Sequence, residues 1–360
     1  MAMRSHVALG AVVAASVLLS AGCAGDDAPA AQQSESEGGT WSAEEVAEAT
    51  GTRAVVPLFA VPKDLPDLQL GFANPGLSYP FFAEWSTGMH DAAEFYGVAL
   101  DEVDLAFKYE TAMSAYEQMS VKQPAVIGSG GGAMNAAVVA AAAANGTDAV
   151  VIDGAVDGAA DFGVSDAEVG SLAITTLAEA VDAKLATEWA GKELYIAGIS
   201  AANCPPCDAR VRQSFADAAA AWDIPEDRQV RLEPVGTDPT NNAADTFTDF
   251  LTAHPDAATI VVSYGDAPVV GALNAAKSAD RTGDILAVAS GGDSAGRTAL
   301  RDPDNAGVLL GAIDFQPYSA GWNWVEAAIA THLGESFDEY AVTRVLTAEN
   351  VDEFYPDDDR

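Results

Sequence analysis

The chain is 360 residues long and 49% hydrophobic, enough for one large domain or two medium ones with proper cores. Its 17 Lys and Arg stand against 54 Asp and Glu, a net charge of -37; such a surface repels phosphate backbones and anionic headgroups, so nucleic acid is excluded as a natural partner. With 4 His and no H-E-x-x-H pattern, no metal centre and no cofactor is expected.

In chain order, Arg4 precedes an apolar run from Val7 to Leu19, too short for a stable bilayer span and suited to the h-region of a secretory signal. Leu19-Ser20-Ala21-Gly22-Cys23 follows, and small residues ending in Gly-Cys resemble the lipobox of bacterial lipoproteins, with Ser20 where Leu is more usual. That resemblance implies a signal peptide over residues 1–22, a lipid on Cys23, and an anchor on the extracytoplasmic face of the cell membrane. Asp26 to Gly39 is too polar to bury a core and reads as a tether. Ser42-Ala43-Glu44-Glu45 is a capping box, so residues 23–66 are expected as a lipidated flexible tether ending in a short peripheral helix. With Cys23 lipidated, Cys204 and Cys207 remain as a pair in an oxidising compartment.

From Leu68 onward, short apolar runs alternate with helical patterns. Strands are expected over 68–72, 98–103, 125–127 and 149–152. Helices fall between them over 81–96, 112–121 and 134–145, the first and third closed by Gly97 and Gly146. The rhythm continues with strands over 194–199, 229–235, 259–263, 285–290, 308–313 and 341–346. Helices cover 166–189, 209–222, 242–254, 267–279, 294–302 and 318–333. Alternation of this kind gives an α/β fold with parallel sheets covered on both faces. There are too many strands for one ordinary sheet, so two doubly wound lobes are the natural solution. Ligands then sit beyond the carboxyl ends of the strands.

Four blocks carry a family resemblance: Gly71-Phe72 with Pro80-Phe81-Phe82; Val164-Ser165-Asp166-Ala167-Glu168-Val169-Gly170; Leu251-Thr252-Ala253-His254-Pro255-Asp256 with Asp266 and Gly271-Ala272-Leu273; and Gln316-Pro317 with Leu346-Thr347-Ala348-Glu349-Asn350-Val351. In this order the chain resembles the ribose-type periplasmic sugar-binding proteins, type I receptors of ABC importers. The resemblance implies two lobes joined by three crossings, near Ser165, Phe315 and Leu346. An N-terminal lobe would then comprise residues 67–165 and 316–346, and a C-terminal lobe residues 166–315 and 347–360. It implies partners too: a small carbohydrate-like ligand in the cleft and an ABC permease in the membrane. The ligand positions depart from the family. Tyr79 stands where a polar residue is usual, Asp153-Gly154 replaces Asp-Arg, Gly265-Asp266 replaces Asn-Asp, and Ser290-Gly291-Gly292-Asp293 replaces a Phe-Asp-Gly turn. These changes imply a ligand other than a standard aldose.

The expected ligand-binding set is Asn74, Tyr79, Phe81, Phe82, Asp153, Arg212, Tyr264 and Gln316. Phe81 and Phe82 are either one core and one ligand-stacking residue or two core residues; the resemblance puts one or both against the ligand, where axial C–H groups pack on the ring. Trp85 reads as core. Asp153 suits a ligand acceptor or a helix cap, and Asp266 a cap for the helix after it. The family's second-lobe arginine has two candidates, Arg210 and Arg212. Cys204-Pro205-Pro206-Cys207 reads as a structural disulfide on a ligand-facing loop; a redox pair at a helix N-terminus is the alternative. Gly128 to Gly132 can be a turn or can cradle an anion. No nucleophile–base pair, P-loop or dinucleotide fingerprint is present, so no enzyme is expected. A sensory lipoprotein coupled to a membrane sensor, for an amino acid, nucleoside or signalling molecule, is the alternative to transport.

Overall fold

Apolar strands flanked by helices build two sheets in the computed structural model, which describes residues 38–201, 204–342 and 344–358. Cys23 and the signal segment lie outside the described residues. Elements are numbered in chain order. Helix α1 (Ala43–Thr50) opens on the Ser42/Glu45 capping box, with both reciprocal bonds formed. Strands β1 (Gln69–Asn74), β2 (Ala99–Asp104), β3 (Val126–Ser129), β4 (Asp148–Ile152) and β5 (Ala160–Phe162) form a parallel sheet in the order β2-β1-β3-β4-β5. Leu70, Phe72, Val126, Val150 and Ile152 face one side, against α2 (Pro80–Tyr96) and a late helix over 317–333. Ile127, Ala149 and Val151 face the other, against α3 (Ala112–Ser120) and α4 (Asn135–Asn145). Burial on both faces is why β1, β3 and β4 are nearly continuously apolar.

The second lobe repeats the plan. It runs through α5 (Asp166–Leu185), β6 (Leu194–Ile199), α6 (Pro205–Trp222), β7 (Gln229–Leu232), α7 (Pro239–Ala253) and β8 (Ala258–Ser263). It continues with α8 (Asp266–Ser278), β9 (Ile285–Gly291), α9 (Ser294–Arg301) and β10 (Leu309–Asp314). The chain then crosses to the first lobe for α10 (Pro317–Leu333) and returns as β11 (Val345–Leu346), followed by α11 (Val351–Phe354). The sheet order is β11-β10-β9-β8-β6-β7, parallel except for β11 against β10.

Three expectations need correcting. Val345 and Leu346 pair with Ile313 and Ala312, so these two residues belong to the second-lobe sheet and not to the first lobe. The strand expected over 341–346 shrinks to its last two residues, because only these reach the β10 edge. Residues 38–66 are no loose tether: Val46, Val55 and Val61 are buried in the first-lobe core, and Trp41 packs on Phe95. The reason lies in α10, whose buried Glu326 carboxylate accepts from Leu58 N (2.7 Å), Tyr96 Oη (2.6 Å), Trp322 Nε1 (3.0 Å) and Asn323 Nδ2 (3.0 Å). A buried carboxylate needs such donors, and the 38–66 segment supplies one through its backbone. Among the described residues, no helix is long and apolar enough to cross a membrane.

Candidate functional site

The strand ends of the two sheets enclose a cavity of about 360 Å³ between the lobes. The first lobe contributes the loop and first turn after β1, where Pro80 at the N-terminus of α2 fixes the entry angle. This turn presents Tyr79, Phe81 and Phe82 to the cavity. Their rings meet at 5.3 Å (Phe81–Phe82) and 5.8 Å (Tyr79–Phe82), both tilted or edge-to-face. Phe81 also packs on Phe315 and Trp85 and, itself only partly buried, rests against the cores of both lobes, so it is a wall residue with core contacts. Phe82 lies beside Gly130 and is the more exclusively cavity-facing ring.

Tyr79 reaches across the cleft. Its hydroxyl sits against Gly265 at the start of α8, so close that a Cβ there would overlap it, and the Ala267 N–H bonds to it. Burial, with the carboxylates Asp293 and Asp266 nearby, holds this phenol well above the usual tyrosine range. It is therefore a neutral donor and acceptor at any ordinary pH.

The polar centre is an ion-pair cluster. Arg210 on α6 donates to Asp153 Oδ2 (2.8 Å), Asp166 Oδ1 (2.5 Å) and the Tyr264 carbonyl (3.3 Å), and lies 4.7 Å over the Phe315 ring. Asp153 closes β4 in a left-handed conformation (φ 50°) and also accepts from Val164 N. Burial raises its pKa and pushes the Asp166 carboxyl up to about 6, against the pull of Arg210. Asp153 belongs to the first lobe, Arg210 to the second, and Asp166 follows the first crossing, so the cluster spans the hinge.

Of the expected site residues, Tyr79, Phe81, Phe82, Asp153 and Tyr264 line the cavity. Asn74, Arg212 and Gln316 do not. Asn74 is fully buried at the end of β1, where its amide donates to Glu102 Oε1 (2.7 Å) and the Phe82 carbonyl (3.3 Å) and its oxygen accepts from Gly76 N. It shapes the turn that carries the aromatic residues. Arg212 is exposed and pairs with Asp208 on its own helix, because two residues on an α-helix turn it about 200° away from Arg210. Gln316 holds a left-handed hinge conformation (φ 48°), donates its N–H to Asp314 Oδ1, and offers its carbonyl to Tyr340. Asp266 does not cap its own helix: Gly265 is the N-cap, and the Asp266 carboxylate accepts from Asp293 N (2.7 Å).

Sequence reasoning missed Phe107 and Tyr109 after β2, Phe162 on β5, and Phe315 and Tyr340 at the crossings, all cavity-lining. Phe107 and Tyr109 follow a strand end, which was signal enough to find them. Cys204 and Cys207 form a disulfide at the N-terminus of α6, on the cavity wall. In the glycine run, Gly131 and Gly132 have positive φ, and a Cβ on Gly130 would overlap Pro75, which supports the turn reading. Among the described residues, no group of His, Cys, Asp and Glu is arranged to hold a metal ion.

Residues 70–336 match the sequence profile of the periplasmic binding protein domain. The chain belongs to the periplasmic binding protein family. Such proteins capture substrates outside the cytoplasmic membrane and are not enzymes. Among solved structures, this periplasmic binding protein is similar to an ABC transporter solute-binding protein from Bacillus halodurans C-125 with bound myo-inositol. The TM-score is 0.67 at 16% identity, covering 81% of this chain and 99% of that one. A periplasmic solute-binding protein from Actinobacillus succinogenes 130z with bound D-allose gives 0.65 at 18%, over 80% and 100%. An ABC sugar transporter subunit from Rhodobacter sphaeroides 2.4.1 gives 0.64 at 19%, over 79% and 99%. Among curated proteins, none matches the sequence.

Proposed function

We propose that the protein is the solute-binding lipoprotein of an ABC importer and closes its lobes on a small sugar-like or polyol ligand. The observation that carries this reading is the inter-lobe cavity, with Tyr79, Phe81 and Phe82 on one wall and the Asp153–Arg210 pair at the strand ends. Aromatic faces take the C–H side of a polyhydroxylated ring, and a few fixed polar groups orient it. The bound D-allose and myo-inositol of two structurally similar proteins support the same ligand chemistry. Arg210 takes the role expected of Arg212, and Tyr264 adds a hydroxyl from the second lobe. Anchoring would rest on a lipid at Cys23, on the membrane's outer face, beside the permease.

The test is a thermal-shift screen of sugars, polyols, nucleosides and amino acids on the mature protein. A ligand at a hundredfold excess over its Kd stabilises the folded state by about 2.7 kcal/mol. Stabilisation by a sugar or polyol is the expected outcome; response to amino acids alone would overturn the carbohydrate reading. Cys23→Ser should move the protein from the membrane fraction to the soluble one.

A further inference from the structure

The sheet orders give the cavity a direction. The crossings leave from β5 and β10 and re-enter at β11, at one side of the two sheets, while β2 and β7 are the opposite edges. Side chains that follow β2 and β7 therefore lie farthest from the hinge. After β2 comes Phe107, and after β7 come Pro234 and Val235, with Pro239 opening α7; all four line the cavity. These four give the outer end an apolar patch, with Tyr109 and Thr237 beside it. Val235 is 88% exposed, although it lines a cavity and is a large aliphatic residue.

The hinge end is different. Its charged cluster is polar, yet the Arg210 guanidinium already has three protein acceptors, and each of its two carboxylate partners is engaged by it. With two acids to one base, the cluster does not favour an anion, which disfavours sugar phosphates and sugar acids. A cavity of about 360 Å³ also falls within the range of about 300–1,000 Å³ found for sites that take drug-sized molecules.

We infer that the ligand is an uncharged glycoside, its sugar ring at the hinge end beside Asp153 and Arg210 and an apolar or aromatic aglycone at the outer end against Val235 and Phe107. The inference rests on the carbohydrate reading and adds the second half of the molecule. An aglycone would cover the exposed Val235 surface and stack on Phe107, contacts that a free monosaccharide held at the hinge end leaves unmade.

Calorimetry on matched pairs tests it: D-ribose, D-glucose, D-galactose and D-allose, each against its phenyl β-glycoside. For whichever sugar binds, the phenyl glycoside should bind at least about tenfold more tightly, a gain of about 1.4 kcal/mol. Val235→Asp, on an exposed loop position where folding is not at stake, should bring that ratio toward one and leave the free sugar's affinity within about twofold. A free sugar that binds as tightly as its glycoside overturns the inference and leaves the carbohydrate reading standing. A preserved glycoside advantage in Val235→Asp overturns the placement of the aglycone. Failure of every sugar and glycoside, with binding of an amino acid or amine instead, overturns both.

Discussion

Phe81 and Phe82 are neighbours in sequence with different duties, and truncation separates them. Phe81 is partly buried and packs against the cores of both lobes. Phe81→Ala should cost about 2–3 kcal/mol of stability in denaturant unfolding, less than a fully buried phenylalanine would. Phe82 faces the cavity, so Phe82→Ala should weaken ligand binding by about ten- to a hundredfold in calorimetry while the thermal midpoint moves little. A variant that loses stability but not affinity would take Phe82 out of the site. Titration gives a second handle. Burial raises the Asp166 carboxyl to about 6, above the about 3.9 of an unfolded aspartate. A carboxyl raised on folding contributes stability that is fully present below the unfolded pKa and is lost as pH rises through the folded one. Asp293 is raised the same way to about 6, by burial and the Glu84 carboxylate. The thermal midpoint should therefore rise between pH 7 and pH 5, and Asp166→Asn should rise less steeply; an equal slope in the variant would show that Asp166 is not the titrating group. The site was half legible at this scale. Residue types at strand ends revealed Tyr79, Phe81, Phe82, Asp153 and Tyr264, but choosing Arg210 over Arg212 needed the rotational setting of α6, which a lone pair of arginines does not reveal.

Helices and strands were more legible than side-chain roles because their signals are periodic and their ends are chemically marked. Gly97 and Gly146 close α2 and α4 in left-handed conformations, as their positions after amphipathic runs implied. Strand β5 escaped notice: Ala160-Asp161-Phe162 is three residues long with a charge in its middle, and only pairing with β4 makes it a strand. The packing of residues 38–66 escaped for a related reason. Its anchoring acceptor, Glu326, is 268 residues from Leu58 and reads as an ordinary polar position on a helix. The α2–α10 contact was also invisible in the sequence. The helices touch at Gly88 and Gly321, where an added Cβ would overlap the backbone carbonyls of Tyr318 and Trp85 respectively. Gly321→Ala must push the helices apart and should cost about 2–3 kcal/mol. Gly97→Ala meets no neighbour and bears only the left-handed strain of its φ of 70°, about 1 kcal/mol. Urea unfolding of both variants checks the difference, and equal losses would mean that the helix contact relaxes freely.

At the scale of the whole molecule, function depends on how readily the lobes part, and charged contacts away from the cavity bear on that. Glu84 on α2 of the first lobe accepts from Ser294 N (2.8 Å) at the start of α9 and from Arg297 Nη1 (2.9 Å) in the second. Arg297 is almost fully buried, is held from behind by Asp358 (2.7 Å), and lies 4.0 Å over the Tyr355 ring. The C-terminal residues therefore pre-set the guanidinium that meets the first lobe, and Thr52 adds a bond to Asp357 across the same rim (2.5 Å). An interaction made only when the lobes are together favours the closed state, and apparent affinity scales with the population of the binding-competent state. Removing one partner of a largely desolvated pair also leaves the other charge uncompensated. Glu84→Ala should then raise the ligand Kd by about tenfold or more, mainly through faster dissociation, and should enlarge the unliganded radius of gyration in solution scattering. Arg301→Ala is the graded comparison: its partners Asp352, Asp358 and the Tyr355 carbonyl all lie in the second lobe, and it touches the rim only through Asp358. It should lower stability slightly and change Kd far less than Glu84→Ala does. If Glu84→Ala and Arg301→Ala bind ligand alike and scatter alike, the rim contact is surface decoration, and closure is governed by the cavity and hinge alone.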